Sequence, residues 1–302
     1  MKVLVTGGAG FVGRHLVRAL VEAGDDVTVL DNLHRSSRTS VHSSSRFLEG
    51  DIRDRAALDR AARGAEMIYH MAAQSNVLGS TQDVDYSFTT NVVGTFELLK
   101  AAERAGVRRV VFTSSREVYG EQRILPVSET AQTSAKNAYG ASKVAGEAYC
   151  RAWAARGELD CAIVRLSNVY GPGDSGRVIP TWLARAADGQ DLIVFGGQQV
   201  IDFIPVETAV AAIRQAALVD LDAPVNVGSG RGTPLLALAE RIGALAGGRV
   251  ATVVEPARDA EVVRYVADTT RMRGVLGIEP PADPLCLLPD LWGTIAARRP
   301  AA

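Results

Sequence analysis

The chain of 302 residues is long enough for one large domain, or for a large one with a small companion. With 47% hydrophobic and 22% charged residues it has an ordinary globular composition, and 33 Lys and Arg against 34 Asp and Glu leave no basic field that would attract nucleic acid. Glycines break the first apolar run too early for a signal-peptide core, and no apolar segment approaches the roughly 20 residues that cross a bilayer, so no membrane association is expected. The three cysteines, Cys150, Cys161 and Cys286, are odd in number and outside any CxxC spacing. That usage fits a reducing compartment, and the expected location is cytoplasmic, with no metal site.

Short apolar runs alternate with helical stretches along the chain. KVLVT (2–6) is followed by TGGAGFVG and then by a helix over 14–23, with Leu16, Val17, Leu20 and Val21 on one face and Gly24 as its stop. DVTVL (26–30) leads into a Ser/Arg-rich loop at 34–46, and a third strand-like run closes in GDI (50–52). EMIYHMA (66–72), RRVVFTSS (108–115), CAIVRLS (161–167) and LIVF (192–195) complete the series. Runs of this length and composition predict strands buried on both faces of a parallel sheet. Their alternation with helices implies right-handed crossovers and a Rossmann-type doubly wound α/β sheet. After about residue 167 the pattern loosens, and the last forty residues carry five prolines. The expected division is a dinucleotide-binding part, 1–167 with 193–222 returning to it, and a smaller discontinuous substrate part, 168–192 and 223–302. The second should pack at the carboxyl edge of the sheet, where ligands of open α/β sheets bind.

Gly7, Gly10 and Gly13 stand in the spacing G-x-x-G-x-x-G directly after the first strand. Glycines there let a turn close and let backbone N–H groups approach a diphosphate at a helix N-terminus; alone, they also suit a purely structural turn. Asp31, eighteen residues after Gly13 at the end of the second strand, can accept both ribose hydroxyls of an adenosine and repels a 2′-phosphate. NAD is therefore expected over NADP, although Arg35 and Arg38 lie close in sequence. Asp51 and Ile52 are candidates for the adenine side, Asp51 being equally a turn residue. Further on, YGASK (139–143) opens a helix, and Tyr139 and Lys143, four apart, share one face. A nearby ammonium favours a phenolate, so the pair can make a general base.

With these residues the sequence resembles the extended short-chain dehydrogenase/reductases, in particular their nucleotide-sugar epimerase and dehydratase branch. The resemblance runs from Lys2 to about Gly277 through VTGGAGFVG, LDNL (30–33), GDI, HMAAQSNV (70–77), NVVGT (91–95), SSREVYG (114–120), YGASK, VRLSNVYGP (164–172), VIDFIPVE (200–207) and VNVGSG (225–230). It implies that Phe11 and Val12 lie over the NAD diphosphate, that Asn32, Met71, Ala72, Ala73, Gln74 and Ser114 lie along the cofactor, and that Asn91 supports the 71–74 loop. Lys143 would hold the nicotinamide ribose, Tyr139 would take the proton from a sugar hydroxyl, and Ser115 would relay it. Ser75 would touch the sugar, Asn168 the sugar phosphate, and Val178 the uridine or thymidine side of a UDP- or dTDP-sugar. Where the family commonly carries an Arg that holds a substrate phosphate, Ile201 stands here. Arg258 and Arg177 are the remaining candidates for that charge, Arg177 being able to reach a sugar carboxylate instead.

The residues after Ser115 bear on which reaction is implied. Dehydratases of the branch resemble one another in an Asp-Glu pair there, and Arg116 cannot donate a proton at neutral pH. Ser115 and the NAD signature are similar to those of a 4-epimerase of the UDP-glucose type. Glu117 and Arg177 keep a glucuronate decarboxylase, a glucuronate-type epimerase or another dehydratase open, a keto-sugar reductase is a third reading, and a non-catalytic NAD-binding scaffold a fourth. The helices around 87–105 and 140–156 resemble the pair that builds a four-helix homodimer interface, with Val92, Phe96, Leu99, Ala145, Tyr149 and Trp153 as its stripes.

Overall fold

A computed structural model describes residues 1–257 and 262–297. The first six strands are β1 (Lys2–Thr6), β2 (Asp26–Asp31), β3 (Arg46–Glu49), β4 (Met67–His70), β5 (Arg109–Ser115) and β6 (Asp160–Leu166). Six more follow: β7 (Asn168–Tyr170), β8 (Leu192–Phe195), β9 (Val200–Pro205), β10 (Val225–Val227), β11 (Gly232–Pro234) and β12 (Thr252–Glu255). The helices of the first half are α1 (Phe11–Glu22), α2 (Arg55–Ala62), α3 (Val77–Gln82), α4 (Val84–Phe88), α5 (Gly94–Ala105) and α6 (Ala138–Ala155). Those of the second half are α7 (Val178–Ala187), α8 (Val206–Ala216), α9 (Leu235–Leu245), α10 (Thr270–Leu276) and α11 (Leu288–Ala296).

Seven strands form one all-parallel sheet in the order β10-β6-β5-β4-β1-β2-β3. Successive side chains of a strand point to opposite faces, which is why these runs are apolar without a break. Val3 and Val5 of β1 enter the core covered by α1, α8 and α10, whereas Leu4 enters the one covered by α2, α5 and α6. The doubly wound sheet expected from the sequence is thus present.

The run at 192–195 is a strand, but it leaves the main sheet. β8 pairs in parallel with β12, and β7, β9 and β11 make a separate three-stranded sheet. What returns to the main sheet after residue 167 is α8, packed in the same core as α1, together with β10, which pairs with β6. An apolar run has the period of any buried strand and carries no information about which sheet it joins. A third core, gathered from α7, α9, β8 and β9, fills the interior of this second region. Among the described residues no helix is long and apolar enough to cross a membrane.

Candidate active site

The carboxyl ends of β1, β2, β4, β5 and β6 open on a cleft of about 680 Å³, whose other wall is made by the segment after β7 and by β8 and β9. The order of the main sheet reverses between β1 and β4, where such sheets leave a crevice.

At the floor of one end the glycine turn is boxed in. Gly7 has φ +71°, and a Cβ there would sit 2.6 Å from the Ala72 backbone nitrogen; one at Gly13 would sit 2.1 Å from the Gly7 carbonyl oxygen. Gly10 caps α1 without any side-chain bond, and no acidic residue stands in the first turn. The first N–H groups of α1 therefore line the cleft with no side chain competing for them, and this cradle fits the diphosphate of a dinucleotide. The helix starts three residues ahead of the span expected from its apolar face, because the turn itself supplies the cap.

Asp31 is buried at the cleft wall and already accepts three bonds, from Ala9 N (3.0 Å), Leu33 N (2.9 Å) and Ser36 Oγ (3.0 Å). Leu33 is held at φ 56°, which brings its N–H round to the carboxylate. Asp51 is not on the wall. The wall here is Gly50 and Ile52, while the Asp51 carboxylate turns to Arg53 (2.9 and 2.8 Å) and Asn32 (2.9 Å). Arg53's hydrogen bond is the main reason that the Asp51 carboxyl is held down at about 2. Asn91 also stands behind the wall. It accepts from Gln74 N (2.8 Å) and donates to Gln74 O (3.1 Å) and Ser142 Oγ (2.9 Å), and so ties the loop after β4 to α6.

Farther along, Ser115, Tyr139 and Lys143 converge, all buried. The Ser115 side chain acts on the Tyr139 phenol in the direction that favours its ionised form. Lys143 Nζ donates to Thr113 O (2.8 Å) and lies 5.9 Å from the centre of the Tyr139 ring. Burial pushes the Tyr139 phenol up to about 12, against the pull of Ser115 and the charges of Arg177 and Arg116. Burial likewise pushes the Lys143 ammonium down to about 8.

Arg116 and Glu117 are buried beside this group. Arg116 Nη2 meets Glu117 Oε1 at 2.9 Å and its Nε donates to Asn168 Oδ1 at 2.6 Å. The other oxygen of Glu117 accepts from Asn137 Nδ2 at 2.7 Å. Asn137 is the N-cap of α6, accepting from Gly140 N at 2.8 Å, and a Cβ at Gly140 would stand 2.4 Å from the Glu117 carbonyl oxygen. The Arg-Glu pair thus joins Asn168 to the start of the helix that carries Tyr139.

The remaining expected residues line the same cleft: Gly10, Phe11, Val12 and Asn32, then Met71, Ala72, Ala73, Gln74 and Ser75, then Ser114, Asn168, Arg177 and Val178. Arg177 bonds Asp174 (3.0 Å) and stands over the Phe11 ring at 5.4 Å. Ile201 is on the wall and supplies no charge. Arg258 lies outside the described residues. Sequence reasoning missed Asn137 and the Arg116–Asn168 contact; an Asn directly before a helix start was a usable signal for the first, whereas nothing local pairs residues 52 apart.

A glycine turn at the switch point of a doubly wound sheet, with a Tyr-Lys helix across the cleft, defines an extended short-chain dehydrogenase/reductase that uses NAD. Residues 3–228 match the NAD-dependent epimerase/dehydratase family. The chain is 35% identical over 294 residues to the UDP-glucose 4-epimerase of Mycolicibacterium smegmatis, covering 93% of this chain and 94% of that one. It superposes with TM-score 0.92 at 30% identity on the UDP-glucose 4-epimerase of Thermotoga maritima solved with UDP-glucose, covering 99% of each chain. For the UDP-glucose 4-epimerase of Thermus thermophilus solved with NAD, the TM-score is 0.91 at 30% identity, over 97% of this chain and 99% of that one. The chain belongs to the NAD-dependent epimerase/dehydratase family.

Proposed function

We propose that this protein is an NAD-dependent nucleotide-sugar 4-epimerase of the UDP-glucose/UDP-galactose type, with Tyr139 as its base. Similarity to named 4-epimerases supports the nucleotide-sugar epimerase part of this reading. The observation that carries the reaction type is the state of Glu117, whose two carboxylate oxygens are taken by Arg116 and Asn137. Elimination or decarboxylation driven from this position needs a carboxylate free to meet the sugar; inversion at C4 needs none.

In this reading the cradle of Gly7, Gly10, Phe11, Val12 and Gly13 holds the diphosphate, Asp31 the adenosine ribose, and Lys143 the nicotinamide ribose. NAD, when bound, supplies a hydride acceptor and, in its oxidised form, a positive charge that favours the phenolate. Tyr139 takes the hydroxyl proton from the sugar C4–OH and later returns it. Ser115, on the same cleft as Tyr139, steadies the oxygen between its alcohol and ketone states. Asn168, held by Arg116, meets the substrate phosphate, and Ser75, Arg177 and Val178 complete the sugar and nucleotide side. Purified protein incubated with a panel of UDP-, dTDP- and GDP-sugars should give a C4-inverted product of unchanged mass by NMR. Loss of water or of carbon dioxide from the product, or net consumption of dinucleotide, would overturn the reading.

Glu117→Gln discriminates the alternatives from the protein's side. The substitution removes the charge that balances buried Arg116, which costs about 3 kcal/mol of stability and lowers Tm. The rate should fall no more than about tenfold, since the side chain works through the Asn137 cap and not on the sugar. A loss of three orders of magnitude in a variant that folds would assign Glu117 to chemistry.

We also read the chain as a cytoplasmic homodimer. Val84, Phe88, Val93 and Tyr149 leave an exposed apolar face on α4, α6 and the turn before α5 (37–55% exposed), whereas Leu99 and Trp153 of the expected stripes pack inside the chain. Sedimentation at the 32.0 kDa of a single chain would exclude the dimer.

A further inference from the structure

Glu147 is fully buried and plays no part in the chemistry above. It stands four residues after Lys143 and eight after Tyr139, on the same face of α6. Its Oε1 accepts from Ser114 Oγ (2.6 Å) and Arg165 Nε (2.8 Å), and its Oε2 from Arg165 Nη2 (2.6 Å) and Arg151 Nη1 (3.1 Å). Ser114 and Arg165 are directly paired across β5 and β6, so one carboxylate grips two neighbouring strands at their carboxyl ends. Arg165 in turn donates to Tyr119 Oη (2.8 Å), which donates to Asn226 Oδ1 (2.6 Å).

α6 touches three successive residues of β5. Gly146 lies so close to Phe112 that a Cβ would come within 2.5 Å of its ring, Lys143 Nζ bonds Thr113 O, and Glu147 bonds Ser114. The next residue of the strand is Ser115. We infer that Glu147 is a positioning residue: by fixing α6 against the ends of β5 and β6 it sets the placement of Tyr139 and Lys143 relative to Ser115. The inference rests on reading those three as the reaction centre. A carboxylate is suited to the task because it accepts four bonds at once, two of them from the planar fork of an arginine.

The test uses the full chain with bound NAD and three variants. Glu147→Gln should lose about 10- to 100-fold in kcat, the scale of a misplaced reacting group, while NAD content and the KM for the nucleotide sugar stay near wild type. Glu147→Leu combined with Arg165→Met removes both charges at similar volume, a change that cores tolerate, but leaves Ser114 without its acceptor. This variant should fold and remain slow; wild-type kcat in it would overturn the inference, because Glu147 would then only neutralise Arg165. If Glu147→Gln does not fold, the double variant decides alone. Tyr139→Phe is assayed beside them: an active Tyr139→Phe overturns the reaction centre itself, whereas an inactive one beside a fully active double variant overturns only the role of Glu147.

Discussion

Tyr139→Phe should turn over about 1,000-fold more slowly than the wild type while keeping its NAD and its fold, a loss of roughly 4 kcal/mol in transition-state stabilisation. The substitution deletes one oxygen and leaves the ring, which is buried against the cleft. Ser115 Oγ keeps the Glu117 N–H at 3.2 Å after that change, so it is not left without a partner. The stability cost is therefore modest, about 1 kcal/mol. Activity should fall much further because Tyr139 is the group that this reading places at the sugar hydroxyl. Lys143 donates to Thr113 O, and His70, whose ring is bonded by Thr6 and Thr95, is driven by burial to about 3. Single-turnover and steady-state rates on the active nucleotide sugar, with the NAD content of each preparation, make the measurement. A variant within tenfold of wild type would remove Tyr139 from the role of base.

The parts of this site that were legible in the sequence are those set by local chemistry. A turn that must close tightly needs glycine, so Gly7, Gly10 and Gly13 announce themselves, and a Tyr and a Lys four apart on a helix share a face whatever surrounds them. β1, β2, β4, β5 and β6 were readable to within about two residues because strands buried on both faces are apolar without a break. β12 was not, since all four of its residues are exposed and it is held by pairing with β8. Glu117 shows the same limit within the site. The sequence left open whether it faces a sugar or supports the loop; in space its two oxygens meet Arg116 and Asn137. The ion pair is local, yet the contacts that give it meaning, to Asn168 and to the cap of α6, come from segments with no shared pattern.

Gly13→Ala should purify with little NAD and bind it on the order of 100-fold more weakly, about 2.7 kcal/mol. The methyl group would meet the Gly7 carbonyl oxygen at 2.1 Å and the Gly8 Cα at 2.9 Å, so something has to move. Gly7 cannot recede, because its N–H bonds Leu30 O at 2.8 Å and the Ala72 backbone lies close behind it, 2.6 Å from where a Cβ would stand. The helix must yield instead, but Leu16, Val17 and Leu20 anchor α1 in the core. The strain divides between a shift of the first turn, which spoils the aim of its N–H groups at the diphosphate, and overpacking that lowers stability by about 2 kcal/mol. NAD released on denaturing the purified protein, titration of added NAD, and Tm record the two effects separately. Gly274→Ala in α10 is the control: its Cβ would meet nothing within 4 Å, and its backbone is not left-handed. That variant should hold its NAD and gain a little stability, since alanine favours a helix interior over glycine. A Gly13→Ala protein that carried a full complement of NAD would place the diphosphate away from this turn, and with it the whole orientation of cofactor and sugar along the cleft.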